Sequence, residues 1–345
     1  MHMMVIRPLR ESDWPAFREL ARKTGTGFTS LQDDDVQARG KFEAGLAGFQ
    51  LTKDNVDEVL YLFVLEDIEQ GVIAGICGIE SAVGLGEPWY NYRLGTIRNA
   101  SRELGVSTQL QTLTISNDHT GHSEVCTLFL DPEYRHSKNG SLLSKSRFLF
   151  MAEHPHLFHD NVIAEMRGYS DEDGVSPFWE GLGRHFFTMD FACADRQSSM
   201  DKVFIAELMP RHAIYTNLLP PEAQAVVCQT HKATVPARKL LEAEGMSCKG
   251  YCDIFDGGPL LEAKVSDIRA VRDSRYMKVR VVDEVEEGDQ YLVATTGLQD
   301  FACTLVSQNL NARQCINLTQ LMADALQVGT GDTVRVVPLS PAQRF

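Results

Sequence analysis

The segment from Cys126 to Met151 has the composition and spacing of a site that binds a diphosphate. An apolar run, Cys126 to Leu130, ends at Asp131, and a short basic and polar loop containing Gly140 follows. Apolar residues then recur at helical spacing. A strand, a loop and a helix in this order place backbone N–H groups around a pyrophosphate at the N-terminus of the helix.

This layout predicts which groups contact the pyrophosphate. Backbone N–H groups in the first turn of the helix should point at it, and a basic side chain of the loop should add charge. The expected contacts are the N–H groups of Lys138, Asn139, Gly140 and Ser141, aided by the side chain of Arg135 or Lys138.

Composition excludes several classes of protein. The formal net charge of the 345 residues is −14, which argues against a nucleic-acid binder. No apolar run approaches the roughly 18 residues of a membrane span, and the first residues lack the apolar core of a signal peptide. The eight cysteines are dispersed, as is usual for buried thiols in a reducing cytoplasm. We therefore expect a cytoplasmic protein without a membrane or nucleic-acid partner.

The order of predicted elements indicates an α+β protein. Strands and two or three helices form an antiparallel and mixed sheet that is complete by about residue 195, with a closing strand expected at 185–191. A further strand is expected at 203–208, after this sheet. A polar stretch at 194–201 marks the first boundary, and short β-rich runs from about residue 265 indicate a small β-barrel-like unit. The predicted domains are 1–198, 199–264 and 265–345.

The loop at 135–140 resembles the acyl-CoA-binding signature of GNAT-type N-acyltransferases. It keeps the Arg and the last Gly of that signature and departs from it at Lys138, where the family usually has Gly. Longer strings spread over nearly the whole chain resemble the arginine N-succinyltransferases. They include G-L-G-E-P-W-Y-N-Y-R (84–93), C-T-L-F-L-D-P (126–132), S-P-F-W-E-G-L-G-R-H-F-F (176–187) and D-I-F-D-G-G-P (253–259).

The resemblance implies a fold, a reaction and two site residues. The fold is a tandem GNAT-like acyl-CoA N-acyltransferase fold, a mixed sheet flanked by helices, with a small C-terminal β-barrel-like subdomain. The reaction transfers succinyl from succinyl-CoA to L-arginine in arginine catabolism, with no permanently bound cofactor and no metal. The family's proton donor falls on His231, in the second, partial GNAT-like domain, and its succinyl-CoA contact falls on Leu128.

Several points stay open at this stage. The substrate guanidinium needs a carboxylate, and the succinyl carboxylate needs a cation. The carboxylate candidates are Glu124, Glu165, Asp118 and Asp256, and the cationic candidates are Arg93, Arg167 and Arg184. The amine could be ornithine in place of arginine, and the chain could be a catalytically weak subunit. A homo-oligomer and a hetero-oligomer with a related chain are both compatible with the resemblance.

Overall fold

Fifteen strands form one mixed sheet in the computed structural model, which describes residues 2–24, 30–50, 58–191, 193–194, 203–310 and 315–341. Their order across the sheet is β14-β11-β15-β12-β13-β1-β2-β3-β6-β7-β10-β9-β4-β5-β8. The strands are β1 Met4–Pro8, β2 Leu60–Asp67, β3 Val72–Glu80, β4 Asn91–Ser101, β5 Val106–Ser116, β6 Ser123–Leu130, β7 Asn161–Glu165, β8 Ile214–Tyr215, β9 Ser247–Cys252, β10 Pro259–Lys264, β11 Arg275–Val281, β12 Asp289–Ala294, β13 Cys303–Gln308, β14 Cys315–Leu318 and β15 Thr333–Pro338.

Helices cover both faces of this sheet. In the described ranges they are α1 Trp14–Lys23, α2 Asp35–Gly48, α3 Asn139–Glu153, α4 Arg184–Phe187, α5 Val203–Leu208, α6 Pro221–Val226, α7 Val235–Ala243, α8 Arg269–Arg272 and α9 Gln320–Leu326. None of them is both long and apolar enough to cross a lipid bilayer.

Alternation along the central strands assigns each side chain to one of two faces. Cys77, Ile79 and Val125 belong to the core that contains the apolar residues of α3. The residues that alternate with them along each strand therefore project to the opposite face, where α1 and α2 pack. Glu80 and Glu124 consequently lie on the α2 face of the sheet.

The parallel strands β6 and β7 diverge. In these two fully described strands, pairing joins Ser123 to Val162 and Glu124 to Ile163, near the start of each strand. Beyond Glu124, β6 stays paired with β3, while β7 stays paired with β10. Two neighbouring strands that part in this way open a gap in the middle of the sheet.

The strands of the C-terminal region extend the same sheet but enclose a core of their own. β13 pairs with β1, and apolar side chains of β11, β12, β14 and β15 pack against α9 in a separate cluster. The Gln308 side chain bonds both backbone groups of Asn317, which ties β13 to β14. The predicted α+β class, the mixed sheet flanked by helices and the β-rich C-terminal region are confirmed; the division into three domains stays a prediction.

Two predicted strands are wrong. Residues 184–187 and 203–208 are helical, as α4 and α5. Buried apolar residues at these places are four positions apart, as in a helix: Phe187 and Phe191 in the first, Ile205 and Met209 in the second. The neighbouring turn Trp179–Gly183 is π-helical, and Ser176 accepts a hydrogen bond from the Trp179 N–H at its start.

Candidate active site

A chamber of about 360 Å³ lies where β6 and β7 diverge. The elements that line it come from distant parts of the chain. They are the end of β3, the middle of β6, the residues that follow β7, and the helix α7. Its wall includes charged side chains of both signs. The cations are Lys41, Arg147 and Arg167, and the acids are Glu80, Glu87, Glu124, Glu165, Asp253 and Asp256.

A β-bulge in β6 forms one edge of the chamber. Cys126 pairs with Gly78 and Phe129 pairs with Ile76, so Thr127 and Leu128 together face a single residue of β3. Thr127 has φ of +50°, which is unusual for a β-branched residue. A bulge leaves its extra residue out of the hydrogen-bonded ladder. A backbone N–H near Leu128 is therefore available to a ligand in the chamber.

Arg147 supports this bulge from the α3 face. Its side chain is 1% exposed, and Nη1 donates to the carbonyl oxygens of Cys126, at 3.2 Å, and Gly78, at 3.5 Å. Its other hydrogen bonds go to the carbonyl and hydroxyl oxygens of Ser144. Burial lowers the pKa of Arg147, partly offset by Cys77, Cys126 and Glu124. A guanidinium stays charged even so.

Two carboxylates stand side by side on the α2 face. Glu80 and Glu124 are direct partners across β3 and β6, and both line the chamber together with Lys41 of α2. Like charges at directly opposed positions of a sheet destabilise each other. Cationic groups on this face, such as Lys41, offset that repulsion.

A hydrogen-bonded chain positions a third carboxylate, Glu165, at the end of β7. Glu165 accepts from the Asn91 amide at 2.8 Å, and Asn91 Oδ1 lies 3.2 Å from His119 Nδ1. The other nitrogen of this buried ring, Nε2, lies 3.0 Å from Glu262 Oε2. Burial opposes ionisation of Glu262, but hydrogen bonds from His119 and Lys249 lower its pKa overall.

His231 lies beside the continuation of β7. Its backbone N–H donates to the carbonyl of Arg167 at 2.8 Å, and the neighbouring Thr230 forms a β-bridge with Gly168. The ring is half-buried, and its Nδ1 accepts from the Ala233 N–H at 3.2 Å. In the neutral ring, Nε2 therefore carries the proton. Burial first, and then the charges of Arg167 and Lys232, lower the pKa of His231.

A tight loop between β9 and β10 holds the end of β7 in place. Asp256 accepts from the N–H groups of Gly168, at 2.6 Å, and Gly258, at 2.8 Å. A side chain at Gly258 would meet the Met166 carbonyl at 2.0 Å, so only glycine permits this approach. Burial and the adjacent Asp253 raise the pKa of Asp256 well above its usual range. The Asp256 carboxyl group therefore stabilises the loop through these two backbone hydrogen bonds.

The structure also places the sequence-predicted diphosphate contacts. The turn after β6 contains Ser137 and Lys138 with φ of +52° and +67°, and α3 begins at Asn139. Asn139 is buried; its side-chain amide donates to the Tyr134 carbonyl and its backbone N–H donates to the His136 carbonyl, each at 3.0 Å. Gly140 and Ser141 lie in the first turn, where N–H groups lack intrahelical acceptors. The exposed Arg135 folds back to donate to the Leu130 carbonyl at 3.0 Å.

Some of the residues predicted from the sequence line the chamber, and others do not. Glu124, Glu165, Asp256 and Arg167 line it, whereas His231 is not among the described residues of its wall, although it is bonded to Arg167. Three candidates lie elsewhere: Asp118 accepts from Tyr251, Arg93 lies 3.8 Å from Asp118, and Arg184 pairs with Glu180.

Sequence reasoning missed Arg147 and Glu80. Arg147 follows Leu143 by four residues, on a helix whose apolar residues predict burial on that side, and this spacing could have identified it. Glu80 carries no comparable signal, because its position opposite Glu124 depends on the register between β3 and β6.

Comparison with known proteins assigns the family. The family model described as arginine N-succinyltransferase beta subunit matches residues 4–270, and the model of that subunit's C-terminal domain matches residues 275–338. The arginine N-succinyltransferase of Yersinia enterocolitica is 50% identical over 341 residues and that of Escherichia coli O17:K52:H18 is 50% identical over 347, with 98% and 99% of both chains covered, respectively.

A solved structure agrees with these relatives. The arginine/ornithine succinyltransferase subunit AI from Pseudomonas aeruginosa is 36% identical, with a TM-score of 0.90 over 99% of this chain and 100% of that chain. The chain therefore belongs to the arginine N-succinyltransferase family.

Proposed function

We propose that this protein transfers the succinyl group of succinyl-CoA to the α-amine of L-arginine, which yields N2-succinyl-L-arginine and CoA. The observation that carries this proposal is the chamber at the divergence of β6 and β7, where a bulged strand meets charged groups of opposite sign on the two faces of the sheet. Acyl transfer requires such a place, where a thioester and an amine can approach each other from different sides. The family relationship supports the choice of substrates.

The acyl donor occupies the α3 side in this proposal. The diphosphate of CoA binds the N–H groups of Lys138, Gly140 and Ser141 at the start of α3, with charge from Arg135 or Lys138. The pantetheine arm follows β6 towards the bulge. There the thioester oxygen accepts a hydrogen bond from the backbone N–H near Leu128, which stabilises the oxyanion as the carbonyl becomes tetrahedral.

The amino acid occupies the α2 side. A guanidinium is planar and presents several N–H donors, so adjacent carboxylates are its natural partners. Glu80 and Glu124 supply such a pair, since they are opposed across two strands and line the chamber. Binding of the guanidinium there leaves the α-amine directed at the bulge.

The neutral α-amine attacks the thioester directly. The Nε2–H of His231 donates a hydrogen bond to the departing CoA sulfur, while the proton lost by the amine reaches the thiolate through solvent. A covalent enzyme intermediate is unfavourable at Cys126, the cysteine among the described residues of the chamber wall, because burial raises the pKa of its thiol to about 12.

Release of CoA thiol by the purified chain tests this function. Arginine and succinyl-CoA together should release thiol, and the initial rates should show an intersecting pattern in the two substrates. A ping-pong pattern would contradict direct attack. The proposed activity would be overturned if succinyl-CoA released no thiol with either arginine or ornithine as the acceptor, both with and without an added partner chain.

Ornithine is a second candidate acceptor because the related Pseudomonas aeruginosa protein is an arginine/ornithine succinyltransferase subunit. The two amino acids differ in their terminal cation, a guanidinium or an ammonium, and the paired carboxylates favour the planar group. Competition between them in one reaction measures the ratio of kcat/KM directly. We expect arginine to be preferred.

We further propose that the protein works in the cytoplasm and assembles with copies of itself or with a related chain. The matched family model is described as a beta subunit, and the Pseudomonas aeruginosa relative is a subunit AI. Light scattering of the purified chain gives the mass of the assembly. A monomer with full activity would contradict this part of the proposal.

A further inference from the structure

We propose that Arg147 is the residue that binds the distal carboxylate of the succinyl group and so selects succinyl-CoA over uncharged acyl-CoA donors. This inference rests on the proposed function. It assigns a specificity-determining role to a residue buried inside α3.

Arg147 differs from the other buried cation of its helix. Lys145 lies 2.9 Å from Glu244, which also pairs with Arg269 at 2.8 Å, so those charges are compensated within the fold. Among the described residues, no carboxylate lies within ion-pairing distance of Arg147, whose hydrogen bonds go to neutral oxygens of Ser144, Cys126 and Gly78. A buried charge without a counterion is costly, so a ligand anion at this point would be stabilised.

The guanidinium also has donor capacity for a ligand. It carries five N–H groups. Nε donates its single N–H to the Ser144 carbonyl, and Nη1 donates to the carbonyls of Cys126 and Gly78. Nη2 carries two N–H groups and contacts one acceptor among the described residues, the Ser144 hydroxyl at 3.2 Å. One N–H of Nη2 therefore remains for a carboxylate oxygen.

Its position fits the length of the succinyl group. Two methylenes separate the thioester carbon from the distal carboxylate, so the cation that binds this carboxylate must lie close to the oxyanion donor. Arg147 bonds the carbonyl of Cys126, which directly precedes the bulge at Thr127 and Leu128, and its side chain lines the chamber. Arg93 and Arg184, which lie outside the chamber wall, do not meet this condition.

The charges around Arg147 place the acyl carboxylate on the α3 face. Glu124 is near enough to raise the pKa of Arg147 but projects to the α2 face, beyond ion-pairing distance. An acyl carboxylate that approaches from the α3 side meets the guanidinium first. The remaining chamber cations, Lys41 on α2 and Arg167 after β7, lie on other walls, and Arg167 also donates to Ser170 at 3.1 Å.

Donor selectivity tests this assignment. The kcat/KM for succinyl-CoA and for butyryl-CoA, which replaces the carboxylate by a methyl group, is measured with arginine as the acceptor. The native protein should prefer succinyl-CoA by about 100-fold, the effect of charge-assisted hydrogen bonds to a buried partner. Arg147→Gln should remove most of that preference by lowering kcat/KM for succinyl-CoA about 100-fold, with butyryl-CoA changed by less than about threefold. Arg184→Gln is the control and should behave as the native protein.

The outcomes separate this inference from the proposed function. An equal loss with both donors in Arg147→Gln, or no donor preference in the native protein, overturns the role of Arg147 and leaves the transferase intact. A native protein that acylates no amino acid overturns the function itself. If Arg147→Gln does not fold, a crystal structure of the native protein with S-(3-carboxypropyl)-CoA decides: the carboxylate should lie about 3 Å from the guanidinium, and any other position refutes the assignment.

Discussion

The two faces of the sheet differ in how their charges are arranged at the chamber. On the α3 face, Arg147 is buried and contacts neutral oxygens, while on the α2 face Glu80 and Glu124 stand directly opposite each other. In the proposed function, the dicarboxylic acyl group binds on the α3 face and the guanidinium binds on the α2 face. Because the charges on the two faces are opposite in sign, one gap in the sheet can bind two substrates on opposite faces, and their reacting groups can then meet at the bulge.

His231 is not part of either proposed substrate-binding face, so its replacement tests the acyl-transfer step rather than the binding of arginine or succinyl-CoA. We expect His231→Ala to lower kcat by about 10²- to 10⁴-fold, because a positioned proton-handling group contributes that much. The KM for both substrates should change little. His231→Gln, which keeps a side-chain N–H donor, should retain more activity than His231→Ala. An unchanged kcat in His231→Ala would remove the residue from the mechanism.

The pH dependence of the reaction provides a second test of His231. Burial and the nearby cations lower its pKa, so the neutral ring predominates from a pH below the ordinary value of about 6.5 upward. As pH falls, log kcat/KM should decline with a slope of one because the amine is protonated. Protonation of His231 should add no second slope, because the charged ring still donates through Nε2–H. A slope of two in the native protein that becomes a slope of one in His231→Ala would contradict the role of the ring as a donor.

The α2 face is tested by neutralising one of its paired carboxylates. Glu124→Gln should raise the KM for arginine about 10- to 100-fold, the cost of losing a charge-assisted bond to the guanidinium. The KM for succinyl-CoA should stay near its native value. Asp118→Asn is the matched control, because Asp118 bonds Tyr251 outside the chamber wall. If the KM for succinyl-CoA rose instead, the proposed separation of substrates between the faces would be wrong.

Sequence reasoning succeeded where the site is contiguous and failed where it is assembled from separate strands. The strand, turn and helix from Cys126 to Met151 follow from local periodicity, and α3 begins at the predicted loop. The partnership of Glu80 with Glu124 depends on the bulged register between β3 and β6. The attachment of His231 to Arg167 depends on a contact between segments that no local pattern reveals. Its role came from family resemblance and stays a prediction.

The turn before α3 explains a departure seen in the sequence. Lys138 stands where the GNAT-type signature usually has Gly, and its φ of +67° is a conformation that glycine adopts without strain. Here a lysine accepts about 1 kcal/mol of strain at that position. A cationic side chain beside the expected diphosphate is a reason for a lysine to occupy it.

Two variants of Lys138 separate strain from charge and give the smallest expected effects. Both Lys138→Gly and Lys138→Ala should raise the KM for succinyl-CoA roughly two- to fivefold, as expected for one exposed ionic contact. Only Lys138→Gly should also increase the free energy of unfolding, by about 1 kcal/mol, because alanine retains the strain. Denaturant titration measures the difference. Equal stabilities would show that the turn is relaxed, and an unchanged KM would remove Lys138 from the diphosphate site.

A crystal structure with CoA and L-arginine bound together tests the separation of substrates most directly. The account predicts the diphosphate on the amides of Lys138, Gly140 and Ser141, the sulfur beside the bulge at Leu128, and the guanidinium between Glu80 and Glu124 on the opposite face. Both substrates on one face of the sheet, or a coenzyme bound away from the divergence of β6 and β7, would contradict it.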